Sequence, residues 1–144
     1  MAARFPALLG IFLVVLALTW PAAAQELSDG DRAAIRDVIG QQVEAFRRDD
    51  GDAAFGLASP GIQHMFGTSE TFMDMVRQGY QPVYRPRVFD FAGIVELNGQ
   101  PAQKVHVVGP DGRPVDAFYP MTRLPDGTWR IDGCFLRAPD EHQA

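Results

Sequence analysis

Residues 95–127 read VELNGQPAQKVHVVGPDGRPVDAFYPMTRLPDG, and this stretch decides the fold. Leu97-Asn98-Gly99, Pro110-Asp111-Gly112 and Pro125-Asp126-Gly127 punctuate runs rich in Val, Phe, Tyr and Thr. Each triplet ends in Gly after Asn or Asp. That is the pattern of a three-residue hairpin loop closing on a left-handed residue. Loops of this kind join four strands into an antiparallel meander.

Closing the loops fixes the register. Val107 then faces Val115, and Val105 faces Ala117. Met121 faces Ile131, Tyr119 faces Gly133 and Ala117 faces Phe135. Phe89 and Phe91 face Val107 and Val105, and Val95 shares their side. These residues, with Trp129 opposite Arg123, make one apolar face. A two-residue loop at Asn98-Gly99 would shift parity and set Lys104 and His106 against Phe91 and Phe89.

Working outward, the upstream half is helical. Ile35, Val38, Ile39, Val43 and Phe46 recur at helical spacing between Ser28 and Arg48, with Ser28 and Asp31 forming a capping box. Asp49-Asp50-Gly51 ends this helix. The acids Asp49, Asp50 and Asp52 lack the ligand spacing of a calcium loop and read as the cap of a short helix over 52–58. Ser59-Pro60 starts another turn that ends at Gly67. Thr68 caps a helix with the stripe Phe72, Met75 and Val76, ended by Gly79. Residues 80–86 form an irregular bridge rich in Tyr, Pro and Arg. Helices followed by a four-stranded antiparallel meander make an α+β layer arrangement.

The first 24 residues carry an address. Arg4 supplies a positive start, residues 7–19 are almost wholly apolar, and Ala22-Ala23-Ala24 offers a small-residue cleavage site. The run is shorter than the ~20 residues of a spanning helix. Cleavage after Ala24 and a periplasmic or secreted location are expected, with no stable membrane anchor afterwards. The domain then spans 25–137 and the tail 138–144 frays. Of the 13 basic residues Arg4 is lost, leaving 12 against 18 acidic residues. That balance argues against nucleic acid as a partner. Cys134 is the single cysteine, so no disulfide forms within the chain.

The stretches AFRRDDGDAAFGLASPGIQHMFGT (45–68), VRQGYQPVYRPRV (76–88) and DGTWRIDGCFL (126–136) resemble the domain of unknown function 4864 family of secreted bacterial proteins. That family's architecture is similar to the nuclear transport factor 2-like, or cystatin-like, superfamily. The resemblance implies a cone-shaped α+β domain, often dimeric and often with a pocket. It implies no reaction.

Candidate sites follow from the register. Gly133 opposite Tyr119 leaves a gap in the inner face, so a ligand-binding cavity is expected among Tyr119, Met121, Trp129 and Tyr84 of the bridge. The competing reading is that Tyr119 simply covers the strand glycine. Arg85 and Arg87 at a rim would suit an anionic ligand, or else lie solvated at the strand edge. His64, Tyr80 and Tyr84 are the candidates for acid–base work. His106 is expected in a surface ion pair with Asp116 and Asp90. His142 sits in the tail. The scattered histidines make no metal site, and no cofactor motif is present. Ile94, Val108, Phe118, Cys134 and Leu136 alternate to the outer face and form a candidate homodimer interface. The leading expectation is a non-catalytic domain that binds a small apolar or anionic molecule or a protein. The alternatives are an isomerase- or dehydratase-like enzyme and a pocketless dimerisation module.

Overall fold

The computed structural model describes residues 26–140. The expected signal peptide and its cleavage site, the end of the tail and His142 lie outside the described residues. The helices are α1 (Asp29–Arg47), α2 (Gly51–Gly56), α3 (Pro60–Phe66), α4 (Ser69–Gly79) and α5 (Gln81–Tyr84). The strands are β1 (Val88–Leu97), β2 (Gln100–Val108), β3 (Pro114–Arg123), β4 (Trp129–Ile131) and β5 (Phe135–Arg137). They form one antiparallel sheet in the order β1-β2-β3-β4, with β5 also paired to β3. The fold is α+β, helices first and an open antiparallel sheet after. No helix among the described residues is long and apolar enough to cross a membrane.

The caps act as their chemistry dictates. The Ser28 hydroxyl accepts from the Asp31 amide, and Asp31 accepts from the Ser28 amide. Asp50, Ser59 and Thr68 cap α2, α3 and α4. Each satisfies an amide that the first helical turn leaves free. The bridge is more regular than its composition suggests, since α5 occupies most of it. On α4 the buried stripe is Phe72, Met73 and Val76, and Met75 is only half-buried.

The register holds at the centre of the sheet. Phe89 and Phe91 pair with Val107 and Val105. Val105 and Val107 pair with Ala117 and Val115. Met121 and Arg123 pair with Ile131 and Trp129. It departs at two places, each by one residue. The first loop is a two-residue turn, because Leu97 pairs with Gln100 and both Asn98 and Gly99 have positive φ, at 52° and 77°. The parity error this would cause is cancelled by a bulge between Phe91 and Ile94. The Gln103 side chain donates to the Ala92 carbonyl at 2.6 Å there. Ile94 consequently packs against the core, and Val95, expected inside, is exposed.

The second departure lies at Asp132-Gly133-Cys134, where Gly133 adopts φ 146° and the last strand breaks into β4 and β5. Beyond the break Phe118 pairs with Phe135 and Ala117 with Leu136, one residue out of the expected register. Cys134 and Leu136 therefore turn to the core side, and Phe135 turns out. The expected outer patch loses Ile94, Cys134 and Leu136 to the core. Val108 and Phe118 remain half-buried outside it.

Two apolar clusters result. One joins Ile35 and Ile39 of α1 to Val105, Ala117, Met121 and Trp129 of the sheet. The other joins Phe46 of α1 to Ala54, Phe72, Met73 and Val76 of α2 and α4, with Tyr84.

Candidate ligand cavity

A cavity of about 430 Å³ opens at the seam between the two clusters. Phe46, Phe72, Val76 and Val83 form its helical wall, and Tyr119 and Ile131 form its sheet wall. Met65 and Phe135 stand at its mouth, 72% and 52% exposed. They are among the few large apolar side chains of the fold that face solvent, and both border the same opening. Ile62, Phe66 and Met75 complete the apolar rim. The adaptable thioethers of Met65 and Met75 suit a surface that must fit a ligand.

The strand break makes this space. Had β4 continued, Gly133 would lie flat in the sheet opposite Tyr119. The Asp132 amide still donates to the Pro120 carbonyl at 2.8 Å in the β3–β4 register, and the chain leaves that register at Gly133. Asp132, Gly133 and Cys134 then curve along the cavity wall. A cavity at Gly133 and Tyr119 was therefore legible in the sequence, but its other walls were not. Met121 and Trp129 belong to the filled cluster, and Tyr84 to the helical one. The Tyr84 hydroxyl donates to Asp49, and its ring lies under the Arg85 guanidinium at 3.9 Å. Arg85 is held by Asp49 at 3.0 Å, and Arg87 is exposed at the start of β1. Neither arginine lines the cavity. His64 lies exposed in the last turn of α3, while its neighbours Ile62, Met65 and Phe66 line the mouth.

The polar groups of the cavity are few. The Tyr119 hydroxyl is buried and has no hydrogen-bond partner among the described residues. The Cys134 thiol stands beside it as a weak sulfur acceptor. Burial pushes the Cys134 thiol up to about 12, with contact to Tyr119 opposing the rise. The residue keeps some accessible surface while its sulfur is enclosed. Burial also raises Tyr119 well above the usual phenol range, with the neighbouring Cys134 adding to the effect. Tyr80 is raised by burial and then by Cys134. All three stay protonated at neutral pH and can act as donors. Asp132 borders the cavity with both oxygens engaged, accepting from the Ser59 hydroxyl at 2.7 Å and from the Gln100 amide at 2.8 Å. Cys134 was missed as a cavity residue because the one-residue shift at Gly133 reverses the face on which it was expected. Asp132 and Phe135 reach the wall because the chain leaves the sheet between β4 and β5.

On the opposite sheet face His106 Nδ1 and Asp116 Oδ1 lie 2.7 Å apart, and Lys104 reaches the same carboxylate at 3.7 Å. The His106 side chain is 39% exposed and the Asp116 carboxylate beneath it is buried. Asp90 lies opposite His106 in register but is exposed.

The comparisons agree with the resemblance in the sequence. A family model described as domain of unknown function (DUF4864) matches residues 28–144. The chain belongs to that family. It matches no curated protein and no solved structure.

Proposed function

We propose that this protein is an exported, non-catalytic binding domain that holds a small apolar molecule between its helices and its sheet. One observation carries the reading: a cavity of about 430 Å³ whose walls are nearly all apolar side chains. Small-molecule sites run from roughly 300 to 1,000 Å³ and combine apolar walls with a few polar tips. A cavity at the helix–sheet seam also fits a cone of the nuclear transport factor 2-like kind. Export rests on the pattern of residues 1–24.

The enzyme alternative needs a base within reach of a bound substrate. Tyr80, Tyr119 and Cys134 are held in their protonated forms, and Asp132 already accepts from Ser59 and Gln100. That arrangement favours holding a ligand over abstracting its proton.

The test is titration of the protein with 1-N-phenylnaphthylamine, a neutral dye that brightens in apolar surroundings. Saturable brightening at one dye per chain, lost in Val76→Trp, supports the reading. A wild-type protein that gives no saturable signal refutes it.

A further inference from the structure

Resting on that reading, we propose that the ligand is an uncharged molecule with one hydrogen-bond-accepting oxygen on an apolar chain. It enters oxygen-first against the Tyr119 hydroxyl, with the chain leaving between Met65 and Phe135.

Three observations lead there. The Tyr119 hydroxyl is a donor enclosed in protein and left without a partner. A buried polar group in that condition is costly, and a ligand oxygen would remove the cost. Its thiol neighbour is too weak an acceptor to satisfy it.

The second observation is electrostatic. Asp132 is the charged side chain on the cavity wall. An anionic head brought inside would lose its hydration and meet another acid. A cationic head would lose its hydration against a wall that is apolar except for Asp132, whose oxygens also hold Ser59 and Gln100. Neutral oxygen functions such as a ketone, an ester or an aldehyde meet neither obstacle. Acceptor-only groups suit the site because Tyr119, Tyr80 and Cys134 are all donors.

The third is the gradient from floor to mouth. Tyr119 is 1% exposed at the floor, whereas Met65 and Phe135 present their apolar surface to solvent at the lip. A chain lying over that lip buries surface that water now covers. The reverse orientation would put a polar head on Met65 and Phe135 and leave Tyr119 unpaired.

The experiment is displacement of 1-N-phenylnaphthylamine by ligands that differ in one property. Tyr119→Phe is expected to weaken 2-decanone about 3–10-fold, the range of one neutral hydrogen bond, and to leave decane within about twofold. An equal effect on both ligands, or none on 2-decanone, overturns the role of Tyr119. Decanoate should bind only as the neutral acid, so its affinity falls about tenfold per pH unit from pH 6 to 8, while 2-decanone stays level. Decanoate affinity that holds constant over that range overturns the uncharged class. Met65→Ser should weaken 2-tridecanone about threefold or more through lost apolar contact and spare 2-hexanone. The opposite pattern reverses the orientation. Dye binding by the wild type with any of these overturning results leaves the binding reading standing and removes this one. A wild type that binds no dye removes the binding reading itself.

Discussion

Tyr119 and Met121 stand two residues apart on the same face of β3, and they meet different surroundings. Met121 pairs with Ile131 and is closed in by the cluster that contains Ile35 and Trp129. Tyr119 belongs to the same cluster but also borders the cavity, and its buried hydroxyl has no hydrogen-bond partner among the described residues. The difference comes from the partner strand. Opposite Met121 the strand is regular, and opposite Tyr119 it breaks at Gly133. One end of the sheet is thus packed against α1 and the other opens onto the cavity.

The largest effect is expected at the open end of the sheet. A thiol raised from 9.0 to about 12 has on the order of a thousandfold less thiolate at neutral pH than a free cysteine. Cys134 should therefore react with iodoacetamide at pH 8 far more slowly than glutathione does. A rate equal to that of free thiol would place Cys134 in solvent. The same shift bears on stability. The folded state keeps the thiol protonated longer than the unfolded chain does. Its contribution is fully present below pH 9 and is lost as pH rises towards 12. Alkaline titration of unfolding free energy checks this, with Cys134→Ala showing a shallower decline in that window.

At the filled end, Trp129→Ala should cost about 3–5 kcal/mol, since the ring is 7% exposed and its indole donates to Asp31 at 3.3 Å. Dye affinity should survive in the fraction that stays folded. A loss below ~0.5 kcal/mol in denaturant midpoints would mean that this end is not packed. The seam between the two regions comes next. Ser59 caps α3 and donates to Asp132, tying the mouth helix to the strand break. Ser59→Ala should cost about 1–2 kcal/mol and also weaken dye binding. An effect on stability alone would separate α3 from the site.

The smallest effect has an unusual sign. Tyr119→Phe removes a buried hydroxyl without a partner, so stability should rise by up to ~1 kcal/mol while ketone affinity falls. Loss of stability would show that the hydroxyl is already satisfied.

The hairpins were legible because their signals are local. Asp111-Gly112 and Asp126-Gly127 turn the chain whatever surrounds them, and Gly112 and Gly127 adopt φ 78° and 88° as that turn requires. Caps at Ser28, Ser59 and Thr68 were legible for the same reason. Single-residue bulges were not. Gly133 was read as a gap in the inner face, but a strand glycine does not say whether the chain gains a residue there. Each extra residue reverses every side chain beyond it until another correction arrives. That is why Val95 and Phe135 moved outward, and why Ile94, Cys134 and Leu136 moved inward. Tyr119 was legible as a cavity residue because it precedes the shift. The helical wall was not, since it depends on how α3 and α4 pack on the sheet.

A ligand held at the strand break should touch the molecule there and nowhere else. Titrating isotope-labelled protein with 2-decanone and following backbone amide resonances answers that residue by residue. The expected shifts fall on Tyr119, Gly133, Cys134 and Phe135 and on Ile62, Met65 and Phe66 of α3, with Met121 and Trp129 nearly still. Shifts confined to the open groove of α1 and α2 around Gly40, Gln41 and Leu57, or movement at Met121 and Trp129 equal to that at Tyr119, would contradict it.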